Sequence, residues 1–199
     1  MKTLRLILIV CLIVLWENGA RSWAEEIPFQ GNRLSIKWDS ITGAPLTIRG
    51  EKSPLFKIGH VSKLSRAQIT RIGPILVKKY APILKIRPDQ LRLKAAECIS
   101  GHWYVSYWQT FQGTIIYESS LGFSIDPKGL VVSLGAILYP NVRGSGPAKI
   151  KRDDALKIAR DQIGDFKKFD YRLLAESRLI YPERKAERVD YYQVYAFNF

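Results

Sequence analysis

The cysteine and histidine side chains are the first candidates for chemistry, but their spacing does not favour a catalytic pair. Cys98 and His102 are separated by a short segment that contains Ser100-Gly101. If Ser100-Gly101 forms a two-residue hairpin turn, Cys98 lies opposite Trp103 rather than His102. In an extended strand the two side chains would instead be roughly 13 Å apart. We therefore predict that Cys98 is a buried structural cysteine and not a nucleophile.

The carboxylates and imidazoles also lack a catalytic spacing. The sequence contains two histidines, His60 and His102, and no His-Glu-x-x-His pattern. A catalytic zinc needs about three protein ligands held close together. Asp153 and Asp154 are adjacent, so on a helix they point in different directions, and they suit the dipole of a helix N-terminus. We expect no enzyme activity, no bound metal and no cofactor.

The N-terminus has the three parts of a secretory signal peptide. Two basic residues precede an unbroken apolar run over residues 6–15, which is too short to span a bilayer comfortably. Ser22 and Ala24 are then small residues at the two positions that a signal peptidase reads. We predict cleavage after Ala24, so that residues 1–24 are a signal peptide and the protein is secreted or held in the cell envelope. An uncleaved anchor is the alternative.

Positive charge is concentrated in one part of the chain. The net charge is +13, and the stretch from Lys57 to Lys94 has ten basic residues and one acid, Asp89. Such patches often bind nucleic acid. The signal peptide, the lack of a nucleic-acid motif and the few aromatic residues in this stretch argue against that partner. A solvated helix face, an acidic protein partner and an anionic envelope surface are the remaining interpretations.

Apolar periodicity predicts an α+β chain with antiparallel sheets. Helical spacing over residues 67–84, interrupted by Pro74, indicates a helical element within the basic stretch. Four predicted strands follow, joined by short turns, over residues 91–99, 102–112, 114–126 and 130–139. A Gly/Pro-rich linker leads to an amphipathic helix over 152–163, and two strands follow around a charged turn at 182–188.

Alternation within the second predicted strand separates two aromatic faces. One face is expected to pack against the helical element near Leu76 and Tyr80, through Trp103, Tyr107, Phe111 and, from the next strand, Phe123. Tyr104 and Trp108 lie on the other face, which is available to a neighbouring module or a partner.

Several short blocks resemble a known family in their order and spacing. They are Trp38 to Pro45, Ile86 to Leu93, Gly101 to Pro140, and the Asp-Asp-Ala-Leu-Lys-Ile-Ala stretch at 153–159. From about Ile36 to Phe199, the chain resembles the FTP (fungalysin/thermolysin propeptide) domain followed by the start of a PepSY domain. This is the propeptide region of secreted thermolysin-like metallopeptidases.

The resemblance implies a division of the chain and a fold for each part. Residues 25–142 would be an FTP-like domain, 143–149 a linker and 150–199 a partial PepSY-like domain. Each domain would be a cystatin-like module in which a helix packs on an antiparallel sheet.

The resemblance also implies a function. In that family the region helps the peptidase domain to fold and blocks its active site until proteolysis removes it. We therefore expect a secreted, non-catalytic, propeptide-like protein that inhibits a thermolysin-like metallopeptidase or assists its folding. The peptidase would act in trans or be a C-terminal domain of the same gene. The alternatives are a truncated zymogen remnant without independent activity, and an envelope-binding module whose basic helix contacts anionic polymers or lipids.

Two groups of side chains are the candidates for binding a partner. The first is the aromatic pair Tyr104 and Trp108. The second is basic and would suit an acidic enzyme surface; it comprises Lys78, Lys79, Lys85 and Arg87. Aromatic anchors usually dominate the energy of an interface, whereas charges at its rim mostly speed association.

Overall fold

The computed structural model describes residues 22–59, 64–142, 150–163 and 175–198. Most of the predicted signal peptide (1–21) and the whole predicted linker (143–149) lie outside the described residues. The chain is α+β, which confirms the fold class predicted from the sequence.

Helices are short and strands dominate the described part of the chain. The helices are α1 (Arg66–Ile69), α2 (Ile72–Lys79), α3 (Ala81–Leu84) and α4 (Arg152–Ile163), and a 3₁₀ turn spans Pro88–Gln90. The strands are β1 (Ser22–Phe29), β2 (Asn32–Asp39), β3 (Pro45–Gly50), β4 (Phe56–Lys57), β5 (Leu91–Ile99), β6 (His102–Phe111), β7 (Thr114–Ile116), β8 (Ser120–Ile125), β9 (Leu130–Val131), β10 (Ser133–Ile137), β11 (Ala175–Arg184) and β12 (Val189–Asn198).

Ten of these strands form one continuous sheet. Its order is β1-β2-β3-β10-β8-β6-β7-β11-β12, and β5 pairs with the free side of β6. The described pairs are antiparallel except β7–β11, which is parallel. The two predicted modules therefore share a sheet, because β7 pairs with β6 on one side and with β11 of the β11–β12 hairpin on the other. β4 and β9 form a separate two-stranded ribbon.

Three hairpins are closed by two-residue turns that end in glycine. In each turn both residues have positive φ, as a type I′ turn requires: Gln30-Gly31, Ser100-Gly101 and Gln112-Gly113. The middle turn places Cys98 opposite Trp103, which confirms the predicted register. Cys98 itself is exposed, so the prediction that it is buried is wrong. The physical reason is its place on β5, an edge strand that has a neighbour on one side only.

Prolines divide the predicted helical element into three pieces. Ser65 caps α1 and forms a capping box with Gln68. Pro74 lies in the first turn of α2, where its missing N–H removes no helical hydrogen bond. Pro82 lies in the first turn of α3, which ends at Lys85 in the left-handed conformation, with φ 54°. Pro74 therefore belongs to the start of a new helix and does not kink a single long one.

The main core lies between α1–α3 and one face of the sheet. Tyr107 of β6 stacks on Phe123 at 6.3 Å between ring centroids, and its hydroxyl donates to the carbonyl oxygen of Thr70. Leu76 and Tyr80 are fully buried in the same core, as predicted, and Trp103 packs against its edge. The prediction fails for one residue, because Phe111 belongs to a second cluster with Ile116, Tyr139 and Ile180.

A buried polar network joins the main core to this second cluster. The Gln109 side-chain amide is fully buried; its Nε2 donates to the carbonyl of Tyr139 at 2.9 Å, and its Oε1 accepts from the Tyr139 N–H at 2.8 Å. Ser119 Oγ accepts from the Gln109 N–H at 2.9 Å. The amide thus takes the place of a strand partner for the backbone of Tyr139, which follows β10, and Tyr139 packs with Ile180 of β11 in the second cluster.

Candidate functional site

The sheet face opposite α1–α3 carries the predicted aromatic pair. Tyr104 and Trp108 alternate with Tyr107, whose ring points to the helices, so they project from the other side. Tyr104 is 50% exposed, and its cross-strand neighbours are Glu97 of β5 and Ser124 of β8.

Small residues form the floor beside the two aromatic side chains. One row of cross-strand partners crosses five strands and contains Ala95, Ser106, Gly122, Gly135 and Thr47. A Cβ atom would meet only ordinary contacts at Gly122 (3.7 Å) and Gly135 (4.0 Å), so packing does not require glycine at either position. Glycine in a strand interior often marks a place where another chain approaches the backbone closely. The outer face is therefore a shallow surface with aromatic side chains standing above it.

Trp108 is half-buried and has cationic neighbours. The Lys94 ammonium lies 5.6 Å from its ring centroid, within the range of a cation–π interaction. Arg92 is its cross-strand partner on β5. Trp108 is therefore bordered by positive charge on the β5 side, whereas Tyr104 lies opposite Glu97.

Two of the four predicted basic residues have structural roles. The Lys79 ammonium donates to the Leu55 carbonyl at 2.8 Å, and the Tyr80 hydroxyl donates to the same oxygen at 2.8 Å. Together they hold the segment before β4 against α2. Lys85 donates to the Gly43 carbonyl at 3.3 Å, and its ammonium lies 5.9 Å from the Trp38 ring centroid. Neither ammonium is fully available to a partner.

The other two basic residues remain at the surface. Arg87 is exposed and bonds Asp89 at 3.0 Å; this hydrogen bond raises the pKa of Arg87 and lowers the pKa of Asp89. Lys78 is exposed on α2, in one helical stripe with Arg71 and with Ile75, which is 46% exposed. Arg71, Ile75 and Lys78 therefore form one exposed stripe, of which sequence reasoning identified only Lys78.

The two predicted binding surfaces lie on opposite sides of the sheet. The helices that carry the basic residues cover the Tyr107 face, whereas Tyr104 and Trp108 project from the other face. A single flat partner surface cannot contact both groups. The aromatic face and the α2 stripe are two separate candidate sites.

A third feature, missed by sequence reasoning, is a buried ion pair between the two halves of the sheet. Asp39 ends β2 and is 3% exposed, and Arg184 ends β11. Arg184 Nη2 donates to both carboxylate oxygens of Asp39 at 2.8 and 2.7 Å. Asp39 also accepts from the N–H of Ile41 at 2.9 Å. No local sequence signal could have found the pair, because 145 residues separate its members.

Burial and the charge of Asp39 shift the pKa of Arg184 in opposite directions. Burial lowers the pKa of its guanidinium, but the hydrogen bond and the charge of Asp39 outweigh this and leave the pKa raised. Burial raises the pKa of the neighbouring tyrosines: that of Tyr139 is above its usual value and that of Tyr191 is about 12. Both phenols are therefore neutral in the physiological range.

An open cleft of about 500 Å³ lies beside this ion pair. Its lining comes from both halves of the chain: Ile41, Thr42, Pro140, Asn141, Glu187, Arg188, Val189, Asp190 and Tyr191. Two of the charged residues in its lining form an ion pair, since Asp190 is bonded to Arg188 at 3.1 Å, and Asp190 is also paired with Lys185. The cleft has no concentrated charge and no arrangement of acid, base and nucleophile.

The residues considered for chemistry remain apart. Cys98 is exposed, and its hairpin partner is Trp103 rather than His102. His102 Nδ1 is 3.3 Å from the Ser100 carbonyl oxygen. Over the described ranges, no group of three or more His, Cys, Asp or Glu side chains is arranged to hold a metal ion.

Comparison with known proteins gives similarity to a solved structure but not to a family. No family model matches the sequence, and no curated protein matches it. The solved structure of the Bacillus megaterium YpeB C-terminal domain is similar at a TM-score of 0.42 and 13% sequence identity, covering 88% of this chain and 70% of that chain. In the part of the chain that the structure describes, no helix is long and apolar enough to cross a membrane.

Proposed function

We propose that this chain is an exported, non-catalytic, propeptide-like protein that binds a thermolysin-like metallopeptidase and inhibits it or assists its folding. The observation that carries the proposal is the open outer face of the sheet, where Tyr104 and Trp108 stand beside a floor of small residues. A shallow floor lets a partner approach the sheet closely, and rigid aromatic side chains are the usual anchors of an interface.

The test is a titration of purified chain against thermolysin-like peptidases from the same source. We expect inhibition that Trp108→Ala and Tyr104→Ala weaken, mainly through faster dissociation, because these side chains supply contact area rather than long-range charge. Ile75→Ala is the matched control, since it removes an equally exposed apolar side chain from the opposite side of the sheet. A folded chain that inhibits none of the enzymes at micromolar concentration and does not aid their refolding would refute the proposal.

A second candidate function is binding to an anionic envelope surface. The α2 stripe favours it, because Arg71 and Lys78 flank an exposed Ile75 at helical spacing. Such a stripe can rest on an acidic lipid surface with the isoleucine inserted and the cations at the headgroups. Cosedimentation with vesicles rich in anionic lipid tests it.

The same variants then separate the two functions. Ile75→Ala and Lys78→Glu should abolish salt-sensitive vesicle binding, and Trp108→Ala should leave it unchanged. Vesicle binding that is lost with Trp108→Ala but kept with Lys78→Glu would contradict the envelope-binding function.

A further inference from the structure

Among the described strands, β1, β5 and β12 form the outer edges of the sheet. They differ in how well their sequences prevent pairing with another chain. β1 carries Glu25, Glu26 and Pro28. β5 carries Arg92, Lys94 and Glu97, and its register shifts near Leu93. Charges, prolines and bulges are the usual devices that stop an edge strand from pairing with another chain.

β12 has almost none of these devices. Its ten residues include no proline and no glycine, and a single charge, Asp190, at its start. That charge is already neutralised by Lys185 and Arg188. The rest of the strand consists of aromatic, aliphatic and amide side chains, a composition typical of strands that add a neighbour.

The backbone of β12 presents a regular row of outward groups. Lys185 N–H donates to the Arg188 carbonyl at 2.8 Å, so these residues form a hydrogen-bonded pair at the hairpin turn. In an antiparallel ladder hydrogen-bonded pairs alternate, so Tyr192 and Val194 point their backbone groups towards β11. Tyr191, Gln193 and Tyr195 therefore point theirs outward. No described strand pairs with this edge.

We propose that β12 pairs with β12 of a second copy of this chain, antiparallel, to give one sheet that continues through the dimer. The charge pattern of β12 favours this occupant. In an antiparallel pair centred on Val194, Asp190 of each copy lies opposite Asn198, so no like charges meet. A parallel pair would place the two Asp190 side chains together. The antiparallel pair is also the arrangement in which a twofold axis makes one edge self-complementary.

The same comparison disfavours self-pairing at β1. An antiparallel pair of β1 strands centred on Glu25 or on Glu26 would bring two copies of that carboxylate directly opposite each other. Like charges directly opposite each other destabilise a strand pair. β12 is therefore the edge of this sheet whose sequence suits a second copy.

The test is the mass in solution of the exported chain, residues 25–199, measured by analytical ultracentrifugation over a range of concentrations. It uses a Cys98→Ser background, because the exposed thiol could link two chains covalently. We expect a reversible shift from the mass of one chain to twice that mass. Gln193→Pro removes one outward N–H without touching the bonds to β11, and Gln193→Lys places a charge on the edge; both should keep the chain monomeric.

Ile99→Lys is the matched control, since it adds the same charge to an exposed position on another edge strand and should leave the dimer intact. Amide hydrogen exchange gives a readout without substitution. Raising the protein concentration should slow exchange of the backbone amides of Tyr191, Gln193 and Tyr195. The amides of Tyr192 and Val194 should be protected at every concentration. A chain that stays monomeric, a dimer that survives Gln193→Pro, or a monomer whose β12 pairs only with an added foreign peptide would each overturn the proposal.

Discussion

Removal of the buried ion pair should reveal how strongly the two halves of the sheet are coupled. Arg184 donates to both oxygens of Asp39, and the Asp39 side chain is 3% exposed whereas that of Arg184 is 31% exposed. Hydrogen bonds to charged groups contribute about 1.5–3 kcal/mol. The partial exposure of Arg184 places this pair in the lower half of that range, so we expect a coupling free energy of about 1.5–2 kcal/mol.

The assay is a double-mutant cycle of Asp39→Ala and Arg184→Ala, with the free energy of unfolding measured in urea. The cycle is needed because Asp39→Ala also loses the bond from the Ile41 N–H, a cost that cancels in the double variant. Arg87 and Asp89 form the control pair, since they make a similar hydrogen bond while fully exposed, and they should show much weaker coupling. A coupling for Asp39 and Arg184 below about 0.5 kcal/mol would refute the inference that this pair fixes the junction.

Two further perturbations follow from the main core. Gly73→Ala would drive a methyl group into the Tyr107 ring and should cost about 1–3 kcal/mol in urea unfolding; a cost no larger than that of an exposed helix position would contradict the close approach. Burial raises the pKa of Tyr80, Tyr107 and Tyr191 to about 12, so their native phenols stay protonated where unfolded tyrosines ionise, near pH 10. The contribution of these three tyrosines to stability should be constant below pH 10 and fall as the pH rises towards 12, which ultraviolet absorbance of tyrosinate and circular dichroism would follow together.

Much of the local structure could be predicted because it depends on short-range signals. The Ser100-Gly101 dipeptide predicted the hairpin turn between β5 and β6. The acidic first turn and the apolar spacing of α4 predicted its bounds, Arg152–Ile163. Proline positions explained where helices begin. These features depend on residues a few positions apart, which is the range over which sequence patterns act.

The candidate sites were less predictable because they depend on distant partners. Lys79 and Lys85 looked like free surface cations, yet their acceptors are the backbone carbonyls of Leu55 and Gly43, which leave no mark in a sequence. The alternation of side chains along β6 correctly placed Tyr104 and Tyr107 on opposite faces of the sheet. The expectation that the helical element near Leu76 and Tyr80 packs on the Tyr107 face was also confirmed. Asp39 and Arg184 had no visible signal at all, because only the join between β7 and β11 brings them together.

The predicted signal-peptide cleavage site lies within β1, so the effect of cleavage on the stability of the fold can be predicted. Cleavage after Ala24 would remove Ser22, Trp23 and Ala24 from β1, which are exposed. The remaining residues 25–29 keep the contacts that hold the strand. Phe29 lies 5.2 Å from the Tyr80 ring between centroids and packs against the main core.

We therefore expect the chain that starts at Glu25 to fold as stably as one that starts at Ser22, within about 1 kcal/mol. The loss comprises the exposed end of the β1–β2 ladder, where residues 22–24 pair with residues 37–39, and the stacking of Trp23 on Trp38, whose centroids are 6.2 Å apart. Glu25 Oε2 still accepts from Trp38 Nε1 at 3.1 Å. The intact mass of the exported protein fixes the cleavage site, and urea unfolding of the two chains gives the difference. A loss of several kcal/mol would mean that Trp23 is integral to the sheet. Because an exported protein must fold after processing, such a loss would argue against cleavage at Ala24.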